Sequence, residues 1–425
     1  MPSFPPLEGD IKTDVLVIGG GIAGLLTAYA MKEAGIGCVL AEAKRLCSGV
    51  TKNTTAKITS QHGLIYGKLL KAFGRERAKR YFLVNEAALR RYEALCQSIP
   101  CDFTREDSYV YSRFRPEALE AEMEALHTLG IRGDFEEHPN LPIETAGAVH
   151  FPRQARFHPL KFLAAIAPGL NIREHTEVRA LEGRTAITNR GRITAEFIIV
   201  ATHFPVFNTR GLYFLKMYED RSYVLALKGA ADPGGMYLDE AEDGLSFRME
   251  RDTLLLGGGS HRTGKPTQGW EPLEAFGRKH YPEARETARW AAQDCITLDG
   301  VPYIGRYGRR TENLYVTTGF GKWGMTSAMA GAELLRDMVL GEKNPAGELF
   351  DPHRPMLRPQ LARNALESTK NLLTPTKPRC PHMGCALKWN PKERSWDCPC
   401  HGSRFGEDGA LLDNPATGNL KKRTG

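Results

Sequence analysis

Residues 13–42 read TDVLVIGGGIAGLLTAYAMKEAGIGCVLAE, and this stretch predicts the fold. Its apolar run at 15–18 suits a buried parallel strand, and the run at 22–34 suits a helix that ends at Gly35. A further apolar run at 39–40 belongs to a second strand. A strand, a helix and a strand in this order predict an α/β fold with a parallel sheet.

Three glycines lie in the turn between the first strand and the helix, at the spacing G-x-G-x-x-G. Gly19 permits the tight turn, Gly21 lets the backbone approach a pyrophosphate, and Gly24 lets the helix pack closely on the strand. Glu42 ends the second strand, where its carboxylate can accept hydrogen bonds from a ribose diol. These features together predict a dinucleotide-binding site, and a coincidental glycine turn is the alternative.

A second glycine-rich block, residues 299–341, decides which dinucleotide binds. It contains DGVPYIG and later NLYVTTGFGKWGMTSAM, which predict a strand at 314–318, a turn, and a helix from about Met325. The block resembles that of the FAD-dependent amine and amino-acid oxidoreductases of the D-amino-acid oxidase, glycine oxidase and sarcosine oxidase superfamily. In that superfamily the block closes the FAD site, and the helix points its positive N-terminal end at the flavin. The alternative is a glycine loop of no consequence.

The resemblance implies a set of FAD contacts spread along the chain. The loop 48–63 is rich in Thr and Ser and corresponds to the superfamily's third flavin-contacting loop. Val178 corresponds to a position whose backbone meets adenine, and residues 319–326 are implied to lie along the isoalloxazine ring. The implied FAD contacts are Gly19, Gly21, Ile22, Ala23, Gly24, Glu42, Ala43, Thr51, Thr55, Ala56, Val178, Ala201, Gly319, Gly321, Lys322, Trp323, Gly324, Met325 and Thr326.

Four cysteines and two histidines fall within residues 379–403, which read RCPHMGCALKWNPKERSWDCPCHGS. Cys380 and His382 form C-x-H, and Cys398 and His401 form C-x-x-H. This is the pattern of a Rieske [2Fe-2S] centre, in which two thiolates hold one iron and two imidazoles hold the other. A zinc site would usually take C-x(2–4)-C pairs, and a knot held only by disulfides is the third alternative.

The boxes CPHMGC and CPCHGS resemble those of cytochrome bc-type Rieske proteins, in which the two further cysteines form a disulfide. The resemblance implies a Cys385–Cys400 bridge, although disulfides are unusual in the cytoplasm. The stretch NPATGNL at 414–420 resembles the loop that covers the cluster. Ser403 is present, but Phe405 stands where high-potential relatives have a tyrosine. One hydrogen-bond donor to the cluster is therefore missing, which predicts a lower reduction potential.

These patterns predict an α/β fold class. A Rossmann-like FAD-binding domain carries an inserted α+β substrate domain, and a small β-rich Rieske cluster-binding subdomain follows at the C-terminal end. The predicted ranges are 10–85, 151–204 and 296–342 for the FAD-binding domain, 86–150 and 205–295 for the substrate domain, 343–378 for a linker with one helix, and 379–425 for the Rieske subdomain. Because the base strands of a full Rieske domain are missing before the first box, the subdomain is expected to lean on the flavoprotein for stability.

Composition argues against several classes of protein. The formal net charge of +7 is spread along the chain, and the dense basic run is confined to 421–423, so a nucleic-acid or membrane surface is not predicted. No apolar run approaches the ~18 to 20 residues of a membrane span, and the start lacks the pattern of a signal peptide. The prediction is a cytoplasmic protein with no nucleic-acid partner and no membrane span.

Candidate catalytic side chains lie at the flavin turn and on the predicted antiparallel sheet. Lys322 is the charged residue of the flavin turn and can tune the ring nitrogens N1 or N5. His261 and Arg262 end the long strand of the sheet, and Arg248 lies on the neighbouring strand, where an arginine can grip a substrate carboxylate bidentately. Lys322, His261 and Arg248 are the predicted catalytic residues, and a solvated or structural role is the alternative for each.

The predicted function is that of a dehydrogenase. A small amine or amino-acid-like substrate is oxidised at FAD, and the electrons pass through the Rieske cluster to an unidentified acceptor. Oxidases of the superfamily need no cluster, because oxygen reacts at the flavin. The alternatives are an oxygen-using amine oxidase with a structural cluster, an electron-transfer or redox-sensing protein, and a reductase component that feeds a Rieske oxygenase. Electron flow in the opposite direction is chemically allowed as well.

Overall fold

The structure, a computed structural model, describes residues 1–207, 211–376 and 378–421. Parts of three predicted segments lie outside the described residues: 208–210 of the substrate domain, Lys377 of the linker, and 422–425 of the Rieske subdomain. The last of these includes two positions of the predicted basic run.

The described residues form strands and helices in the following chain order. The strands are β1 (Ile11–Ile18), β2 (Cys38–Ala41), β3 (Lys57–Ile58), β4 (Thr104–Tyr111), β5 (Asp134–Glu136), β6 (Ala148–Arg156), β7 (Asn171–Arg173), β8 (Val178–Glu182), β9 (Thr185–Thr188), β10 (Arg192–Val200), β11 (Met217–Lys228), β12 (Met236–Asp239), β13 (Ser246–Glu250), β14 (Thr253–Arg262), β15 (Arg285–Thr297), β16 (Tyr303–Arg306), β17 (Leu314–Thr318), β18 (Lys388–Asn390), β19 (Ser395–Asp397), β20 (Arg404–Gly406) and β21 (Leu411–Asp413). The helices are α1 (Ile22–Glu33), α2 (Tyr66–Cys96), α3 (Pro116–Leu129), α4 (Pro159–Ile166), α5 (Tyr213–Lys216), α6 (Glu271–His280), α7 (Gly324–Leu340), α8 (Gly347–Phe350) and α9 (Pro359–Leu373).

The first sheet is the Rossmann-like sheet that the sequence predicts. Its strand order is β16-β17-β10-β1-β2-β7, and the hairpin β8–β9 joins it at β10. All of the strands from β17 to β7 in this order run parallel, whereas β16 runs antiparallel to β17. Ile18 pairs with Val200 on one side and with Ala41 on the other, so the carboxyl ends of the central strands share one edge. The predicted fold class is confirmed, and ligands of such sheets bind at this edge.

Side chains of β1 alternate between two hydrophobic cores. Val15 and Val17 belong to the core that includes α1 and α7, whereas Leu16 and Ile18 belong to the core on the opposite face. This alternation is the two-residue period of a strand buried on both faces. The first strand starts at Ile11, earlier than predicted, because its outer residues pair with β10 beyond the apolar run.

The second sheet has nine strands in the order β15-β11-β14-β13-β12-β4-β6-β3, with β5 paired to β6. It contains the antiparallel strands predicted within 205–295, and β12 of that range pairs in parallel with β4 of the range 86–150. β3 belongs to the predicted flavin loop, so this sheet reaches the flavin site directly. Because β6 crosses position 151 and α2 crosses position 85, the elements do not stop at the expected boundaries, and the domain ranges stay a prediction.

The C-terminal subdomain is a four-stranded antiparallel sheet, β18-β19-β20-β21, that contacts the second sheet and the loop after β10. Arg221 of β11 forms a buried ion pair with Glu393, which also pairs with Arg404 of β20. The linker holds α9 where one helix is expected, but it also holds the short helix α8. The prediction of a single linker helix is therefore wrong, because Leu349 and Phe350 of α8 are buried in the large core.

None of the helices formed by the described residues is both long and apolar enough to cross a membrane.

Candidate functional site

The turn between β1 and α1 has a geometry that its glycines make possible. Gly19 has a φ of +111°, and a Cβ there would lie 2.6 Å from the carbonyl oxygen of Ala201. A Cβ on Gly24 would lie 1.8 Å from the carbonyl oxygen of Gly19, so α1 packs too closely on the turn for any side chain. At Gly21, by contrast, a Cβ would meet only the Thr51 hydroxyl, at 3.3 Å. The space in front of Gly21 is therefore open, as a pyrophosphate at the helix N-terminus requires.

Glu42 is held at the end of β2 by two backbone amides. Its Oε2 accepts a hydrogen bond from Gly20 N at 2.6 Å, and its Oε1 accepts one from Lys44 N at 2.7 Å. Burial raises the pKa of the carboxyl, and these two donors oppose that shift. Each oxygen keeps a further lone pair toward the cavity, so a ribose diol can still bind.

A cavity of about 1270 Å³ extends from this turn along the edge of the Rossmann sheet to the second sheet. Ligand cavities are commonly about 300–1,000 Å³, so this volume suits a dinucleotide together with a substrate. The predicted FAD contacts that line it are Gly19, Gly21, Ile22, Ala23, Glu42, Ala43, Thr51, Thr55, Val178, Ala201, Gly319, Gly321, Lys322, Trp323, Gly324 and Met325. The fit of the residues to FAD is therefore good along the whole cavity, although individual contacts stay predictions.

Three predicted FAD contacts do not line the cavity. Gly24 serves helix packing instead, as its closeness to Gly19 requires. Ala56 belongs to the flavin loop and is 1% exposed. Thr326 donates its hydroxyl hydrogen to the backbone oxygen of Thr59, so its side chain points into the protein.

Lys322 lies at the cavity, but its charge is already neutralised. Its Nζ is 2.8 Å from Oδ1 of Asp220 and also contacts the Ser260 hydroxyl. Both partners belong to the second sheet, so Lys322 ties the flavin turn to that sheet. A catalytic role for Lys322 stays a prediction, and it would require this ion pair to open.

Arg248 and His261 do not line the cavity formed by the described residues, and their catalytic role stays a prediction. The Arg248 side chain is 4% exposed and pairs with Glu250 at 2.8 Å. His261 stacks on Tyr223 with ring centroids 5.7 Å apart. Ser260, next to His261 on β14, contacts Lys322 of the flavin turn, whereas Arg248 and His261 themselves contact Glu250 and Tyr223.

Arg262 binds the second cluster box rather than a substrate carboxylate. Its Nε donates to Pro399 O at 2.9 Å, its Nη2 to Cys400 O at 3.0 Å, and its Nη1 to Asn364 Oδ1 of α9 at 2.9 Å. The end of β14 therefore holds the iron–sulfur subdomain in place.

Lys57 is a cavity residue that the sequence analysis missed. It lies on β3, and its Nζ donates a hydrogen bond to Tyr237 O at 3.1 Å. Within the described residues, no carboxylate lies in ion-pair distance of it. Burial and the nearby charge of Arg248 lower the pKa of Lys57 to about 7, although Glu106 opposes the shift. The available signal was a lysine between the threonines of TTAKIT, one of two lysines in this loop; the other is Lys52.

The four predicted metal ligands meet at one end of the small subdomain. Hydrogen bonding to Cys398, followed by burial, raises the pKa of Cys380, so the two thiols lie side by side. The rings of His382 and His401 have centroids 4.9 Å apart. Burial lowers the pKa of His382 to about 4 and that of His401 to about 3, so both imidazoles are neutral, as metal ligands must be.

Unpartnered nitrogens mark the histidine side as a ligand site. Nδ1 and Nε2 of His382 and Nδ1 of His401 are buried without a hydrogen-bond partner. His401 Nε2 lies 2.9 Å from Phe214 O, so this nitrogen carries the hydrogen and Nδ1 keeps its lone pair for a metal. Buried polar atoms are seldom left unpaired, so these residues fit a cluster with two thiolate and two imidazole ligands.

The predicted Cys385–Cys400 bridge is not formed in the structure. Every cysteine in the described part of the chain is free. The sulfurs of Cys385, Cys398 and Cys400 nevertheless lie within 4.8 Å of one another. The sulfurs of Cys385 and Cys400 are therefore close enough to approach each other, and the bridge stays a prediction.

One short loop connects the cavity with the cluster site. Ala201, Thr202 and His203 line the cavity, and Phe204 follows them in the chain. The Phe204 ring centroid lies 6.3 Å from that of His382 and 6.1 Å from that of His401. The histidine side of the cluster site therefore faces the flavoprotein.

Two family models match the chain. The model described as FAD dependent oxidoreductase matches residues 14–338, which is more than half of the chain, and the model described as Rieske [2Fe-2S] domain matches residues 365–423. The predicted cofactors, FAD and one Rieske [2Fe-2S] cluster, are confirmed, as is the prediction of an oxidoreductase.

One curated relative resembles the chain over its whole length. It is the Rieske 2Fe-2S iron-sulfur protein YhfW of Bacillus subtilis (strain 168), which is 33% identical over 485 aligned residues, covering 99% of this chain and 95% of that protein. Among solved structures, glycine oxidase from Geobacillus kaustophilus has a TM-score of 0.69 at 17% identity, covering 81% of this chain and 99% of that one. L-proline dehydrogenase from P. horikoshii has a TM-score of 0.67 at 18% identity, covering 83% of this chain and 98% of that one. Such low identities show a shared fold.

Proposed function

The chain belongs to the FAD dependent oxidoreductase family and carries a Rieske [2Fe-2S] domain, and from this premise we propose that it is an amine or amino-acid dehydrogenase. The two electrons removed from the substrate pass from the flavin to the cluster and then, one at a time, to an external acceptor. The observation that carries the proposal is the position of Phe204, which follows the cavity-lining loop and packs on both cluster histidines.

The two cofactors supply complementary chemistry, since FAD takes two electrons as a hydride and a [2Fe-2S] cluster carries one at a time. The protein's contribution is to fix the cluster site beside the cavity. Gln293 of β15 donates to Gly402 O at 2.9 Å, and Asn414 donates to Thr202 O at 2.6 Å. These bonds join the second box and the covering loop to elements that line the cavity.

Lys57 supports an amino-acid-like substrate. Its Nζ donates one known hydrogen bond, so its two other N–H groups are available to a carboxylate. Among the other cations that line the cavity, Lys322 is paired with Asp220 and Arg221 with Glu393. The cavity lysines at 44, 52 and 68 are exposed to solvent, whereas Lys57 is not. A substrate carboxylate beside Lys57 would supply its missing counter-charge and hold the substrate's carbon against the flavin. The names of the structural relatives, glycine oxidase and L-proline dehydrogenase, agree with such a substrate.

The test is anaerobic bleaching of the flavin by glycine, sarcosine, L-proline and matched amines that lack the carboxylate. The Lys57→Met variant should raise KM for the carboxylate substrates about tenfold or more, because a charge-assisted hydrogen bond of about 1.5–3 kcal/mol is lost. The control is Lys12→Met, which removes an exposed lysine that does not line the cavity. Failure of all amines to bleach the flavin would overturn the proposal, and peroxide accounting for every electron would favour an oxygen-using oxidase.

A further inference from the structure

The second cluster box is closed to external partners. Every residue from Cys398 to Ser403 is buried, and the box lies under Arg262 of β14 and Gln293 of β15. A carrier protein therefore has no access to the cluster from this side.

The ring nitrogens of the cluster histidines are closed as well, although His382 as a residue is only half-buried. His401 is 2% exposed, its Nε2 is bonded to Phe214 O, and its ring contacts Phe204. Both ring nitrogens of His382 are buried. The histidine side therefore serves the flavin, and an external acceptor must approach from elsewhere.

The first box reaches the surface. Pro381 is exposed and Met383 is 37% exposed, whereas Cys380 and Cys385 on either side of them are buried. Among the described residues of the two boxes, this loop alone presents exposed side chains to solvent. It lies one residue from the ligands Cys380 and His382, so it is the shortest covalent route from the cluster to the surface.

Arg379 joins this loop to the end of α9. Its Nη1 donates to Gly384 O at 2.6 Å and to Leu372 O at 3.2 Å, and its Nη2 donates to Thr374 O at 2.7 Å. Leu372 is 43% exposed and Leu373 is 78% exposed. The loop and the helix end therefore form one surface with an apolar centre. The chain then returns to the helix, since Ala386 N donates to Asn371 O at 3.0 Å, two residues before Lys388. We call residues 370–374, 379–384 and Lys388 the box-one surface.

The charge of this part of the chain has one sign. From Lys370 to Lys388 the sequence contains Lys370, Lys377, Arg379 and Lys388 and no Asp or Glu. The lysines at 370 and 388 are exposed. Exposed cations around an apolar centre favour encounter with a partner that carries carboxylates around its own redox centre.

We infer that the box-one surface is the docking site of an acidic one-electron carrier protein, an inference that rests on the proposed function. Each carrier takes one electron from the reduced cluster, so two carriers are reduced for each substrate that loses two electrons. The contact is small and brief, like that of other electron-transfer pairs.

The experiment uses the holoprotein with both cofactors, reduced anaerobically and mixed in a stopped-flow instrument with oxidised plastocyanin of the acidic plant type or with basic cytochrome c. The test variant is Lys370→Glu/Lys388→Glu, and Met383→Asp probes the apolar centre. The control is Lys12→Glu, because Lys12 is exposed at the amino end of β1, at the opposite edge of the sheet from Phe204. The Rieske EPR signal and the FAD content check that each variant is intact.

We expect the wild-type protein to reduce plastocyanin faster than cytochrome c and to lose this advantage as salt is added. The double variant should reduce plastocyanin about tenfold more slowly at low salt, whereas Lys12→Glu should match the wild type. An unchanged rate in the double variant, or a plastocyanin rate that rises with salt, would overturn the inference. If reduced FAD fails to reduce the cluster, the proposed function is wrong but the docking inference is still testable. In that case the cluster is reduced with dithionite, and the rates of electron transfer to the two carriers are compared as before.

Discussion

The change Gly402→Ala tests how closely the second cluster box packs on the flavoprotein. Gly402 follows the ligand His401 and has a φ of +83°. A Cβ on Gly402 would lie 2.2 Å from Cγ and 2.3 Å from Cβ of Glu219. These atoms are at the root of a side chain on β11 that is 1% exposed, so Glu219 has no room to move aside. We therefore expect the added methyl group to push the box away from the cavity.

The size of the effect follows from two costs. An alanine in the left-handed region costs about 1–2 kcal/mol, and overpacking of a buried site costs about 1–3 kcal/mol. Gly384→Ala provides a matched control, since Gly384 has a φ of +78° and a Cβ there would meet nothing within 4 Å. This control carries only the first cost. The difference between the two variants should therefore be about 1–3 kcal/mol in the free energy of unfolding.

The assay has two readouts. Urea unfolding gives the free energies, and anaerobic stopped-flow absorbance gives the rate at which electrons reach the cluster after the flavin is reduced. Gly402→Ala should retain FAD, lose stability and transfer electrons to the cluster more slowly than Gly384→Ala. Equal stabilities and equal transfer rates in the two variants would refute the described packing of the second box on β11.

Three further predictions concern single side chains. Burial lowers the pKa of His62 from its ordinary value of 6.5 to about 3. As pH falls below 6.5, His62 therefore binds a proton in the unfolded chain but not in the folded chain, and the folded state loses stability. Wild-type stability should then fall by about 1.4 kcal/mol per pH unit more than that of His62→Phe between pH 6.5 and about 4.5, as measured by urea unfolding. Gly21→Ala should lower FAD affinity in equilibrium dialysis without loss of iron, because its methyl group enters the space in front of the helix while meeting only Thr51 in the protein. Phe405→Tyr should raise the cluster's potential by roughly 60–130 mV in a redox titration followed by EPR, because a hydrogen bond to a cluster sulfur contributes about 1.5–3 kcal/mol and 1.4 kcal/mol corresponds to roughly 59 mV. Each prediction is contradicted by an unchanged pH slope, unchanged FAD affinity or an unchanged potential, respectively.

Local chemistry explains why the two cofactor sites could be predicted from the sequence. The turn needs a positive φ at Gly19 and no Cβ at Gly24, where the obstacle is the carbonyl oxygen of Gly19 in the same turn, so the spacing follows from the turn itself. Cys380 and His382, like Cys398 and His401, are close in sequence because each box is one loop. Patterns of this kind are visible without knowledge of the tertiary structure.

Residues whose role depends on tertiary contacts could not be assigned in the same way. Arg262 and Arg248 both lie on strands of the predicted sheet, but the sequence does not say that one meets the cluster box and the other an ion pair in the sheet. Lys57 reaches the cavity because β3 pairs with β6, a contact between segments almost 100 residues apart (Ile58 with Ala155). Register and docking, rather than composition, decide these positions.

The central claim is that electrons removed from a substrate at the flavin reach the Rieske cluster. Its most direct test is rapid freeze-quench EPR of the oxidised holoprotein, mixed anaerobically with whichever of glycine, sarcosine or L-proline bleaches the flavin. The account predicts that the signal of the reduced Rieske cluster appears as the flavin loses its absorbance, and that it is lost in His401→Ala, which retains FAD. A flavin that is fully bleached by substrate while the cluster signal never appears would contradict the account.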